Sequence, residues 1–226
     1  MTGVKCLAAA LVFLVACSRD REQDVPSPSP VTTEEQRSPA GAPQKGALRE
    51  ADIILHTSRS AQSKAIQVAT GSRFSHMGIV HLENAERFVY EAVGPVKLTP
   101  FAEWVARGEG AHFVVMRLRD ADQRLTAEAL KRIQDVGRGF RGRPYDSAFE
   151  WSDDRIYCSE LVWKIYKGAL GIELGHLARL GDFDLTNPAV RDKLRERYGA
   201  HVPLDEPVIS PAAIAESPLL EKVWEE

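Results

Sequence analysis

Ser75-His76-Met77-Gly78-Ile79-Val80-His81-Leu82 and Arg87-Phe88-Val89-Tyr90-Glu91-Ala92-Val93-Gly94 are β-rich runs divided by the polar stretch Glu83-Asn84-Ala85-Glu86. This pattern predicts a hairpin. Side chains alternate across a strand, so His76, Gly78 and Val80 share one face and His81 lies on the other. Gly78 leaves the imidazole an open neighbour through which it can be approached. If Glu83 pairs with Glu86, Glu91 stands opposite Gly78 and diagonal to His76, about 7 Å away at the backbone. A carboxylate there can accept from the ring and hold its tautomer. A three-residue turn would reverse the parity and leave Glu91 a solvated strand residue.

Outward from the hairpin the signals continue. Residues 51–57 (ADIILHT) read as a short strand, and 60–71 as a helix closed by Gly71. Downstream come a strand at 96–99, a short helix from Phe101, and a strand over 112–118. A helix follows over 125–140, with Thr126 as N-cap and Glu128 in its first turn. Cys158–Gly171 is an amphipathic helix with Leu161, Val162, Ile165, Tyr166 and Leu170 as its apolar residues. Successive strands with helices at both ends predict an α+β fold. Beyond 172 the chain is Pro-rich and punctuated by helix signals, with no order assigned.

Cys158 opens that last helix. A helix N-terminus favours thiolate through the macrodipole, and its orphan N–H groups can stabilise an oxyanion. The plain alternative is a small buried hydrophobe. His76 is the candidate base, with Glu91 as its orienting partner. Tyr157, just before the cysteine, either shapes the oxyanion hole and substrate pocket or simply packs. Ser75, beside His76, is a second candidate substrate contact. Asp153 and Asp154 would oppose a thiolate at close range and are expected to point into solvent. His56, His112, His176 and His201 have no comparable context.

Composition narrows the classes. The chain has 226 residues, 44% of them hydrophobic and 27% charged. Such a balance excludes a wholly disordered or fibrous chain. A net charge of −3 gives no basic surplus for nucleic acid. Three cysteines, at 6, 17 and 158, make no disulfide framework, and no C-x-x-C pair suggests a zinc site. Neither metal nor cofactor is expected.

FSHMGIV (74–80), YEAVGPV (90–96) and GRPYDSAFEW with YCSELVWKIY (142–151 and 157–166) together resemble the YiiX/YebB-like group of circularly permuted papain-like proteins in the NlpC superfamily. In that group histidine, then glutamate, then cysteine follow one another along the chain, as here. The resemblance covers roughly 50–220. It implies a permuted papain-like fold, an antiparallel sheet packed against the cysteine-bearing helix, and a Cys158 nucleophile with a His76 base and a Glu91 orienter. The expected reaction is acyl transfer through a thioester. The leading expectation is amide hydrolysis of peptides, cell-wall peptides among them. The alternatives are acyl-lipid chemistry, as either hydrolase or acyltransferase, and a non-catalytic envelope binding protein. Such proteins usually carry Gly-Asp at the first strand, where this chain has Ala51-Asp52.

The N-terminal stretch MTGVKCLAAALVFLVAC (1–17) resembles a bacterial lipoprotein signal cut before a lipidated Cys17; an ordinary secretory signal is the alternative. Its apolar run is too short to span a bilayer. Residues 18–47 are Pro/Ser-rich and read as a disordered tether, reaching about 100 Å at full extension. Residues 48–226 are then one hydrolase domain. Ser18, rather than an aspartate, after Cys17 points to an outer-membrane anchor facing the periplasm, with the membrane and peptidoglycan as neighbours.

Overall fold

The computed structural model describes residues 47–226; the expected signal peptide, the lipid-bearing Cys17 and all but the last residue of the expected tether lie outside the described residues. In chain order the elements are β1 (Ile53–His56), α1 (Ala61–Thr70), β2 (His76–Glu83), β3 (Glu86–Ala92), β4 (Val96–Pro100), α2 (Phe101–Ala106) and β5 (Val114–Leu118). There follow α3 (Ala121–Arg124), α4 (Ala127–Phe140) and α5 (Cys158–Leu170). The tail adds β6 (Ala178–Arg179), α6 (Pro188–Tyr198), β7 (Pro207–Val208), α7 (Pro211–Ala215) and β8 (Leu220–Glu225).

Six strands form one antiparallel sheet in the order β4-β3-β2-β1-β5-β8. The expected hairpin is there with the expected register, Glu83 opposite Glu86 and Ile79 opposite Tyr90. Its two turn residues, Asn84 and Ala85, have φ of 51° and 66°. This left-handed pair matches the twist of a two-residue hairpin. Gly78 is needed for a different reason. A Cβ there would stand 2.4 Å from the Val89 side chain and 2.7 Å from the Tyr90 carbonyl, so no larger residue lets β3 come this close.

Alternation sorts the sheet into two faces. Leu55, Met77, Ile79, Tyr90, Val114 and Met116 join the main core, with Leu161, Val162 and Ile165 of α5 and Ile133 of α4. Ile54, Val80, Val89 and Val115 form a second cluster with Phe113 and with Trp104 of α2. Helix α5 packs directly on β2 and β3, the arrangement expected of the α+β fold. At the start of β1, Ala51 has a φ of 67°. Glycine takes that conformation without strain. Asp52 beside it is buried and receives both Nε and an Nη of Arg117 at 2.7 Å, which ties β1 to β5.

Candidate active site

Helix α5 brings Cys158 to the site. Tyr157 is its N-cap in an extended conformation, and its backbone N–H donates to the carboxylate of Glu160 at 3.3 Å. Gly171 ends the helix in the left-handed conformation. Cys158 is therefore the first helical residue, where backbone N–H groups have no intrahelical acceptor. Its side chain is almost buried.

His76 opens β2, and its Nε2 lies 2.6 Å from Oε2 of Glu91. Glu91 thus meets His76 on one face of the hairpin, as the strand parity predicts. With Nε2 turned to the carboxylate, Nδ1 is the ring nitrogen left for Cys158. Burial alone pulls the imidazole down. Hydrogen bonding by Cys158 and Glu91, with their charges, outweighs it, and His76 is raised to about 9. Burial alone would lift Glu91, but its bond to His76, the His76 charge, Thr99 and Arg107 lower it to about 2. The carboxylate stays ionised.

Two holders of Glu91 escaped the sequence reading. Thr99 of β4 donates its hydroxyl to Oε1 at 2.5 Å, and the Arg107 guanidinium pairs with the same oxygen. Neither lies in a motif. Thr99 follows from the β3–β4 register, in which Glu91 stands opposite Lys97 and so diagonal to Thr99.

His56 also corrects an expectation. It does have a context: β1 pairs with β2 so that His56 stands opposite His76, their rings 5.3 Å apart. Its ring also stacks on Trp104 at 4.0 Å. Burial, with the charges of His76 and Arg107, lowers it to about 3, so His56 is a neutral wall behind the base.

Of the two candidate substrate contacts, Ser75 braces the cleft. Its Oγ accepts from the Ser58 N–H at 2.9 Å and lies 2.6 Å from Ser63 Oγ, clamping α1 to the start of β2. Tyr157 lines a pocket next to Cys158, and its hydroxyl accepts from the Ile209 N–H at 3.1 Å. Asp153 and Asp154 point outward as expected, with side chains 74% and 95% exposed.

Two cavities meet at this centre. One, lined by Cys158, Ala65, Phe149, Leu180, Leu194 and Ile209, is almost wholly apolar and has a volume of about 80 Å³. That is room for roughly two or three water-sized groups. The other is a more polar cleft of about 590 Å³, lined by His76, Ser58, Arg59, Ser60, Ser63 and Tyr145 together with the apolar Ala92 and Val93. Gln62 and Ile66 of α1 border both. Tyr145 is a further residue that sequence reasoning missed. Its hydroxyl oxygen receives a hydrogen bond from Gln62 at 2.7 Å. Its own proton is left free to be donated.

Residues 47–224 match the family of permuted papain-like amidase enzymes of the YaeF/YiiX type, C92. The chain is 46% identical over 187 residues to the uncharacterized protein YiiX of Escherichia coli K12, covering 83% of this chain and 89% of that one. A crystal structure described as the metalloprotein YiiX of Escherichia coli O157:H7 superposes with a TM-score of 0.76 at 47% identity, over 79% of this chain and 97% of the other. The order histidine, glutamate, cysteine, the hairpin register and these matches agree: the chain belongs to the permuted papain-like amidase family.

Proposed function

We propose that the protein is an envelope amidase that cleaves amides of an apolar acyl group through a Cys158 thioester. The observation that supports this most is the division of the site. Cys158 opens on the apolar pocket and His76 on the more polar cleft. The nucleophile holds the acyl half of a substrate, and the group that protonates the leaving amine holds the other half. The acyl part therefore lies among apolar walls and the amine among serines and Arg59.

In this reading the Cys158 thiolate attacks the amide carbon. The developing oxyanion accepts from the Cys158 backbone N–H and the Tyr145 hydroxyl. The His76 imidazolium, held by Glu91, donates its proton to the departing nitrogen. Water, deprotonated by the then neutral His76, releases the acid and restores the thiol.

Peptides with an apolar residue on the acyl side fit this site, cell-wall peptides included. The apolar lining also favours a second reading, hydrolysis of short acyl esters of lipids. A panel of amides and matched esters separates them. Lengthening the acyl group by two methylenes within the pocket is expected to raise kcat/KM for amides about tenfold. Turnover of esters alone would favour the lipid reading. Binding without turnover of either would make the protein a binding module.

The structural neighbour is described as a metalloprotein. Among the described residues of this chain, no group of three or more His, Cys, Asp or Glu side chains is placed to hold a metal ion. His76 and Glu91 already face each other, so these residues do not fit a resident metal.

We further propose that Cys17 carries the lipid anchor and that 18–47 is the tether, which would hold the enzyme at the outer membrane facing peptidoglycan. The mature protein is expected to have the intact mass of a chain starting at a lipid-modified Cys17, with Cys17→Ala blocking maturation. An unmodified N-terminus elsewhere would refute the anchor.

A further inference from the structure

Arg197, near the end of α6, lines the apolar pocket together with Cys158. Its guanidinium lies 4.7 Å over the ring of Phe149, another lining residue. Among the described residues it makes neither an ion pair nor a hydrogen bond. Its neighbour on the same helix differs: Lys193 is bonded to Glu196 at 2.5 Å. Burial pulls the Arg197 guanidinium below the ordinary value, against the opposing charge effects of Tyr145, Tyr198, Glu196 and the buried Asp146, none of which bonds to it. Asp146 directs one carboxylate oxygen to the Ala148 N–H at 2.8 Å.

Arg197 is half-buried and has no protein acceptor among the described residues, its donors stay open to solvent, and the polar residues Gln62, Ser159, Lys193 and Ser210 share the pocket lining with it. Its planar fork of donors matches a carboxylate or phosphate. Stacking on Phe149 fixes the plane of the fork.

We propose that Arg197 is a specificity-determining residue that recognises an oxyanion, carboxylate or phosphate, carried on the apolar acyl part of the substrate. This deepens the amidase reading and rests on it for the side of the scissile bond. The substrate class becomes an acyl group with a short apolar stem and an anionic tip. A peptide carboxylate and a lipid phosphate share this chemistry.

The test uses the full chain in mild detergent and needs no turnover. Hexanoate, hexyl phosphate and hexan-1-ol are titrated as protectants of Cys158 against iodoacetamide, read by mass spectrometry on the Cys158 peptide. Binding is read in parallel as thermal stabilisation. One of the two anions is expected to protect at a concentration about 10- to 100-fold below that of the alcohol, the range of a charged hydrogen bond. Which anion it is identifies the source: hexanoate a peptide-type carboxylate, hexyl phosphate a lipid-type phosphate. In Arg197→Met the ratio between anion and alcohol is expected to collapse towards unity, and in Arg197→Lys to be partly retained. Equal protection by anion and alcohol in the wild type would overturn the proposal. So would an Arg197→Met chain that loses stability but keeps the ratio, which would make Arg197 a packing residue near Asp146. An intact anion preference with no amide turnover would sink the amidase reading alone; amidase activity without the preference would sink this inference alone.

Discussion

Cys158→Ala is expected to reduce acyl transfer to background, a loss on the order of 10⁶ by comparison with other nucleophile deletions. Substrate affinity should stay within a few-fold, because only one sulfur atom leaves a pocket whose walls come from α1, α6 and the 180–211 segment. His76→Ala tests the same centre from the other side. General-base assistance contributes about 10²–10⁴, and the variant should slow alkylation of Cys158 in the folded chain as well as turnover. Retained turnover in Cys158→Ala would remove the thioester mechanism outright. Labelling of Cys158 only after unfolding would return it to the buried hydrophobes.

How much of this could be read beforehand depended on whether the information was local. The β2–β3 hairpin and α5 carry their own periodicity, so the positions of His76, Glu91 and Cys158 followed from alternation, a two-residue turn and a helix start. The β1–β2 register is not local. Nothing near His56 says that His76 will stand opposite, or that Trp104, far along the chain, will stack on it. Arg107 sits just past α2 with no periodic signal, and its value to Glu91 appears only when that helix folds over the sheet. The tail was the largest gap. In α6 only Val190 and Leu194 are buried, too few for a clear apolar stripe, yet that helix supplies Lys193, Leu194 and Arg197 to the pocket. Strand β8 pairs with β5 from the far end of the chain, and the irregularity between Val115 and Met116 hides the pairing further.

Glu91→Gln separates an orienting carboxylate from a merely structural one. The amide keeps the volume and can still accept from Thr99. It can also turn a donor towards the ring, and the wrong tautomer then faces Cys158. A change of this kind in a comparable triad lowers turnover about 10⁴-fold, and a loss of similar order is expected here. The pH profile gives a second signature. His76 stands at about 9 partly because the Glu91 carboxylate holds its charged form. Activity that needs the imidazolium should fall as pH rises through about 9 in the wild type. Removing the negative charge lowers His76, so the alkaline limb in Glu91→Gln should move to lower pH. Stability should follow the same linkage. A histidine raised in the folded state stabilises fully below its unfolded value of about 6.5, and that contribution is lost as pH climbs through about 9. The urea midpoint of the wild type should therefore drop across this window, and the drop should shrink in the variant. Arg107 loses its partner, but its side chain is 34% exposed. Water can replace the lost contact there at little cost. Wild-type turnover with an unmoved alkaline limb would leave Cys158 and His76 as a dyad, and Glu91 as a residue that only holds β3 to Arg107 and Thr99.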